Sequence, residues 1–176
     1  RKLRVEGLID GYGEFGRPHY KALPESVVVN ELVTIKVLEI MKDLGGVIHL
    51  HLEQAGEVTV QSVASLCGCA DLPESLRGNV VLHHSTVGMG EAAERLGFSY
   101  TLTGRFELLR EAFSKGLKGF IPESDFVDDP SRPGVVMYPW EISAEVKKLL
   151  DAGVGEDLIY KVMVDNVVTL YGVEPP

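Results

Sequence analysis

Short apolar runs alternate with helical hydrophobic repeats along most of the chain. Between residues 29 and 44 apolar side chains recur every three or four positions, which predicts a helix that starts near Leu23-Pro24 and stops at Gly45-Gly46. Residues 47–53 form a compact apolar run that is typical of a buried strand. By the same criteria we expect further helices at residues 58–66, 91–96, 106–113, 143–150 and 156–171, and further strands at residues 79–84, 98–103 and 119–125.

This order of elements predicts an α/β fold. Together with a glycine-rich strand end at residues 10–16, strand and helix alternate five times, and the connections are too long for hairpins. Connections of that length require parallel strands joined by right-handed crossovers. Residues 126–140, rich in Asp and Pro, are predicted to be a loop, and residues 1–176 are predicted to form a single domain.

Composition and charge restrict the classes of function. Hydrophobic residues make up 45% and charged residues 24% of the chain, as in ordinary globular proteins. No apolar run approaches the roughly 20 residues of a membrane span, and no secretory signal precedes the first strand, so we expect a cytoplasmic protein without membrane contact. The net charge of −9 favours a small-molecule substrate over nucleic acid as the partner. Cys67 and Cys69 are too close for an ordinary disulfide, and we interpret both as small buried side chains.

Metal-compatible side chains fall at the carboxyl ends of the predicted strands, where parallel α/β folds place their sites. They are Glu14, His51, His83 and Asp125, each on a different strand. A single strand histidine is more often a hydrogen-bonded core residue, and an Asp after a strand is often a helix cap. Four such residues at one end of four strands favour a shared divalent cation, and imidazole with carboxylate suits zinc.

Two histidine pairs leave the choice of ligand open. His49 and His51 point to the same face of their strand, and we favour His51 because it lies nearer the strand end. His84 is expected to point away from His83, toward the surrounding helices, because successive strand residues face opposite sides. If the register is shifted by one residue, His84 takes the place of His83.

These residues and their neighbours resemble the TatD-like metal-dependent hydrolases of the amidohydrolase superfamily, most closely their archaeal uncharacterised branch. The resemblance covers residues 12–172 and corresponds to the C-terminal portion of the barrel, strands four to eight. It implies a TIM-barrel-type parallel βα repeat, here a partial barrel of about five strands. The matching motifs are Gly13-Glu14-Phe15-Gly16-Arg17-Pro18-His19, His51-Leu52-Glu53-Gln54-Ala55, Val80-Val81-Leu82-His83 and Pro122-Glu123-Ser124-Asp125.

The resemblance also implies roles for the four ligands. Glu14 bridges two metal ions, His51 and His83 hold the outer ion, and Asp125 is both a ligand and the catalytic proton acceptor. The cofactor is then one or two divalent ions, zinc first, with manganese or magnesium as alternatives. The substrate is a phosphoester, an amide or an ester.

Loops next to these strands supply candidate substrate contacts. Arg17 and His19 follow the Glu14 strand and can offer cationic donors, while Asp128 and Arg132 lie in the loop after Asp125. Pairing of Arg17 with a neighbouring Asp is an equal alternative, and Asp-Pro and Arg-Pro steps also form loops for conformational reasons alone. Trp140, the single tryptophan, is expected to pack in the core in preference to covering the site.

The chain departs from the family pattern at one point. The His-x-His of the first barrel strand, which completes the inner metal site, is absent from these 176 residues, so we expect a segment missing before Arg1. The alternative function is therefore a non-catalytic metal-binding or interaction module. In the latter case the chain forms a homodimer through exposed strand edges.

Overall fold

The structure is a computed structural model and describes residues 1–16, 22–126 and 137–175. Five strands are β1 (Gly11–Gly16), β2 (Val47–His51), β3 (Val80–His83), β4 (Ser99–Thr103) and β5 (Phe120–Glu123). The helices are α1 (Lys2–Val5), α2 (Pro24–Leu44), α3 (Glu57–Cys69), α4 (Val87–Leu96), α5 (Phe106–Ser114), α6 (Glu141–Asp151), α7 (Glu156–Tyr160) and α8 (Asn166–Tyr171). The predicted α/β class is confirmed, because the strands form one parallel sheet in the order β1-β2-β3-β4-β5 with helices between them.

Two compact units divide the chain, residues 1–100 and residues 101–176, and the boundary falls within β4. In the first unit β2 pairs with β1 on one side and with β3 on the other. β2 and β3 are apolar because both faces of their sheet are covered, as in other parallel sheets. Ile48, Val80, Val81 and Leu82 have no exposed surface, so these two strands form the core of the unit.

Some element boundaries differ from the predictions. α4 begins at Val87, four residues before the predicted start, because the Thr86 side chain accepts a hydrogen bond from Met89 N (3.2 Å) and caps the first turn. The predicted break before β3 is a 3-10 helix, Glu74–Asn79. The predicted last helix is interrupted by a π-helical segment, Lys161–Asp165, between α7 and α8.

The N-terminal half of α2 presents apolar side chains to solvent. Val28, Val29, Leu32 and Val33 are each at least 45% exposed. β1, which α2 follows, is at the end of the strand order. Across the described ranges, none of the helices is both long enough and apolar enough to cross a membrane.

Candidate metal centre

Strand register places two histidines side by side at the carboxyl ends of β2 and β3. The strands are parallel, and His51 is the direct partner of His83, just as Leu50 is the partner of Leu82. Side chains at paired positions of neighbouring strands project in the same direction, and the two imidazole centroids are 6.0 Å apart. The buried apolar runs that set this register therefore also set the spacing of the histidines.

Glu14 reaches the same place through an irregularity in β1. Between Tyr12 and Phe15 the pairing of β1 with β2 shifts register, and Glu14 lies in that shift. Such irregularities redirect a side chain relative to a regular strand. Gly13 permits the close approach, because a Cβ there would lie 2.6 Å from the His49 carbonyl oxygen and its φ is +113°.

One carboxylate oxygen of Glu14 contacts both histidines. Oε1 lies 2.8 Å from Nδ1 of His51 and 2.9 Å from Nδ1 of His83. Two ligands on a tetrahedral zinc, with bonds of about 2.0–2.1 Å, are separated by roughly 3.3 Å, so an opening of a few tenths of an ångström would admit the ion. The side chains are partly exposed, from 19% for His83 to 46% for Glu14, which leaves access for water. Donor type and spacing therefore fit a divalent cation.

His84 joins this group, contrary to the expectation that it faces the helices. β3 ends at His83, and His84 adopts a left-handed backbone conformation with φ of 57°. Its ring centroid is 4.0 Å from that of His83 and 5.0 Å from that of His51. The strand alternation on which the prediction relied stops one residue before His84, and the prediction is wrong for that reason. His49, deeper in β2, keeps its ring 6.3 Å from that of His83.

Asp125 lies in the second unit, residues 101–176. β5 ends at Glu123, two residues before Asp125, whose backbone is left-handed with φ of 52°. The preceding Ser124 Oγ accepts a hydrogen bond from Phe126 N at 3.3 Å, which shapes this turn. The prediction that Asp125 is a metal ligand stays a prediction.

The loop residues proposed for substrate binding, Arg17, His19, Asp128 and Arg132, lie outside the described residues. Trp140 is described, and the expectation of core packing is wrong. Its side chain is 66% exposed and stacks on Tyr138, with ring centroids 4.5 Å apart and planes 14° from parallel. Phe126 joins the same aromatic group at 5.5 Å from Tyr138.

Sequence reasoning did not identify the residues that hold the turn after β3. Gln54 Nε2 donates to the His84 carbonyl oxygen at 2.7 Å, and Ser85 Oγ donates to the Leu82 carbonyl oxygen at 3.0 Å. A signal was present at Ser85-Thr86, since Ser and Thr often bond nearby backbone at turns and helix starts. No local signal marks Gln54, because its partner is 30 residues away.

The two cysteines differ in burial. Cys67 is buried, and desolvation raises the pKa of its thiol to about 11. Cys69 is exposed, so the interpretation of both as buried is wrong for Cys69. Residues two apart in a helix point roughly 200° apart, which places the two thiols on opposite sides of α3.

One further group in each unit has a shifted pKa and takes part in the packing of that unit. Tyr100 is fully buried on β4, and desolvation raises the pKa of its hydroxyl, which donates to Glu94 Oε1 at 3.0 Å. In the second unit the pKa of Glu145 is lowered, first by its bond to Lys148 and then by Phe106 N, which donates to Oε2 at 2.8 Å. Both groups are structural, because each one's partners belong to the packing of its own unit.

Comparison with known families gives one match that spans the chain. The profile of a family described as TatD related DNase matches residues 1–172. Among curated proteins, an uncharacterized protein of Methanocaldococcus jannaschii is 30% identical over 170 residues, which are 95% of this chain and 58% of that relative. The chain thus spans somewhat more than half the length of that relative.

Solved structures share the fold. A phosphotriesterase homology protein of Escherichia coli with phosphate in its active site superposes with a TM-score of 0.70 at 14% identity, over 92% of this chain and 59% of that one. A β-aspartyl dipeptidase of Fervidobacterium islandicum, in complex with a β-Asp-Leu dipeptide, gives 0.73 at 14% identity, over 98% and 50%. A TatD homologue of Escherichia coli gives 0.68 at 17% identity, over 98% and 70%. At these identities the likeness establishes the TIM-barrel-like fold.

Proposed function

The chain belongs to the TatD related DNase family, and from that membership we propose that the protein is a metal-dependent hydrolase acting on a phosphoester, amide or ester. The observation that carries the proposal is the single Glu14 carboxylate oxygen within 2.9 Å of Nδ1 of both His51 and His83. Members of the family are metal-dependent, and these are donor types that zinc accepts.

Each residue has a definite task in this proposal. Glu14, His51 and His83 hold the cation, for which we propose zinc, with manganese or magnesium as alternatives and one or two ions in all. A bound zinc would lower the pKa of its water toward about 7, so that hydroxide would be available near neutral pH. Asp125 would accept a proton from the attacking water and serve as a further ligand, while Arg17, His19, Asp128 and Arg132 would bind the substrate.

The substrate we propose is a small molecule. The net charge of −9 gives no broad attraction for a polyanion, although the name of the family refers to DNases. Similar folds bind phosphate in one relative and a dipeptide in another, so the phosphoester and the amide both stay within the proposal. The scarcity of cysteine supports a cytoplasmic location.

Replacement of Asp125 tests the catalytic role. We expect Asp125→Asn to reduce kcat/KM for activated phosphodiesters, esters or dipeptides by about 10²- to 10⁴-fold, because a positioned general base contributes that much. The matched control is Asp151→Asn, which changes an exposed carboxylate that pairs with Lys147 at 2.9 Å. Full activity in Asp125→Asn would overturn the assignment.

A second candidate is a non-catalytic metal-binding or interaction module. It is favoured by the apolar side chains that α2 exposes, Val28, Val29, Leu32 and Val33. Size-exclusion chromatography with and without a chelator, combined with metal analysis, separates the candidates. A zinc-binding protein that hydrolyses none of these substrates, or a dimer indifferent to chelator and to His51→Ala with His83→Ala, supports the second candidate.

A further inference from the structure

We propose that His84 is an additional imidazole ligand of this centre, so that three histidines and Glu14 offer donors to one divalent ion. The inference rests on the proposed metal function and extends it to a residue outside the matched motifs. With His84 included, the first unit alone offers four metal ligands, Glu14, His51, His83 and His84.

The first step is proximity. One ring nitrogen from each of His51, His83 and His84 lies within 4.8 Å of the others. Two nitrogens bonded to the same zinc at about 2.0–2.1 Å are separated by roughly 3.3 Å, so a movement of about 1.5 Å or less brings the set to bonding distance. Rotation of partly exposed rings is sufficient for a movement of that size, and all three histidines are neither fully buried nor fully exposed.

The second step is the backbone that holds His84 in place. Its left-handed conformation turns the side chain toward His83 instead of the opposite face of β3. Gln54 fixes the His84 carbonyl oxygen, Ser85 closes back on Leu82, and Thr86 caps α4. Hydrogen bonds therefore flank His84 on both sides, and they tie the loop after β2 to the end of β3.

The third step is donor chemistry. Magnesium prefers an octahedral shell of oxygen ligands, whereas imidazole suits zinc, copper, iron and nickel. Three imidazoles leave the fourth position of a tetrahedral ion to Glu14 or to water. We therefore infer that His84 shifts the preference of the centre toward zinc and away from magnesium and manganese.

His84→Gly tests the proposal, because glycine accepts the left-handed backbone and removes the imidazole alone. We expect zinc affinity of the metal-stripped protein, measured by titration calorimetry, to fall about 100-fold, the upper end of what losing a supporting partner costs a metal site. X-ray absorption of the zinc-loaded protein should count one imidazole fewer. Asp71→Gly is the matched control, since Asp71 is also left-handed, with φ of 49°, and belongs to no group of candidate metal ligands among the described residues.

The outcomes separate this proposal from the proposed function. If His51→Ala and His83→Ala abolish zinc binding while His84→Gly keeps the affinity and the imidazole count of the wild type, the role of His84 is overturned and the hydrolase proposal stands. If all three variants bind zinc like the wild type, both fail. A loss of zinc affinity in His84→Gly, His51→Ala and His83→Ala, with Asp71→Gly unchanged, supports three imidazole ligands.

Discussion

The carboxyl ends of β3, in the first unit, and β5, in the second, differ in how deeply the strand is buried and in the hydrogen bonds of the turn that follows. Each strand is followed by a non-glycine residue with a left-handed backbone, His84 after β3 and Asp125 after β5. The residues of β3 before His83 have no exposed surface, whereas only Phe120 of β5 is buried to that degree. In the turn after β3, Gln54 donates to the His84 carbonyl oxygen at 2.7 Å and Ser85 Oγ donates to the Leu82 carbonyl oxygen at 3.0 Å; in the turn after β5, Ser124 Oγ accepts from Phe126 N at 3.3 Å.

The contrast lies in how tightly the strand before each proposed site residue is packed. The proposed ligand His83 ends a strand whose other residues are fully buried, whereas Asp125, proposed as a further ligand and as the proton acceptor, follows a half-buried strand. The stability of the first unit should therefore depend more on its strand packing than that of the second.

The largest expected difference in stability loss between the two units comes from truncating one strand residue in each. Leu82→Ala removes a fully buried side chain of β3 and should cost about 2–5 kcal/mol in free energy of unfolding. Ile121→Ala removes a partly exposed side chain of β5 and should cost less than about 2 kcal/mol. Urea denaturation followed by circular dichroism measures both, and equal losses would contradict the contrast.

A smaller difference is expected from adding one methyl group in each unit. A Cβ at Gly90 would lie 2.5 Å from the ring of Tyr100, which is fully buried and cannot move aside, so Gly90→Ala should cost about 1–3 kcal/mol. At Gly104 the nearest atom is Cγ1 of the partly exposed Ile142, at 2.9 Å. Gly104→Ala should then cost less than about 1 kcal/mol, and thermal unfolding that ranks the two variants in the reverse order would refute the argument.

The smallest effect concerns the charge of Glu145. Its folded pKa lies below the ordinary value of 4.5, so its stabilising contribution is present above that pH and is lost as the pH falls through the folded pKa. Glu145→Gln should lower stability at pH 7 by about 1 kcal/mol, since the group is a partly buried carboxylate that accepts hydrogen bonds from Lys148 and from Phe106 N. The stability difference between wild type and Glu145→Gln should shrink as the pH is lowered below 4.5, and a difference that stays constant with pH would show that packing, and not charge, is its cause.

Much of the sheet was predictable because its determinants are local in sequence. Apolar runs at residues 47–53 and 79–84 identified β2 and β3, and strand order then brought His51 beside His83. The family resemblance was confirmed by the match over residues 1–172. The single-domain prediction and the roles of the site residues stay predictions.

The errors occurred where one torsion angle or one distant partner decides the outcome. Nothing in the sequence distinguishes a His84 that continues β3 from one with φ of 57°, because histidine accepts both conformations. Trp140 is exposed because it stacks on Tyr138 and not on a core residue. Such choices depend on neighbours that a hydrophobic pattern does not name.

The left-handed residue after β3 has an evolutionary consequence. A position just beyond a strand can direct its side chain over the strand end while every buried residue stays in place. If His84 binds the ion as proposed, a single codon change there adds or removes one metal donor while the buried residues of the sheet stay the same. Centres of this design can thus exchange one preferred ion for another in one mutational step, and homologous proteins that differ at this position alone would be expected to differ in the metal they retain.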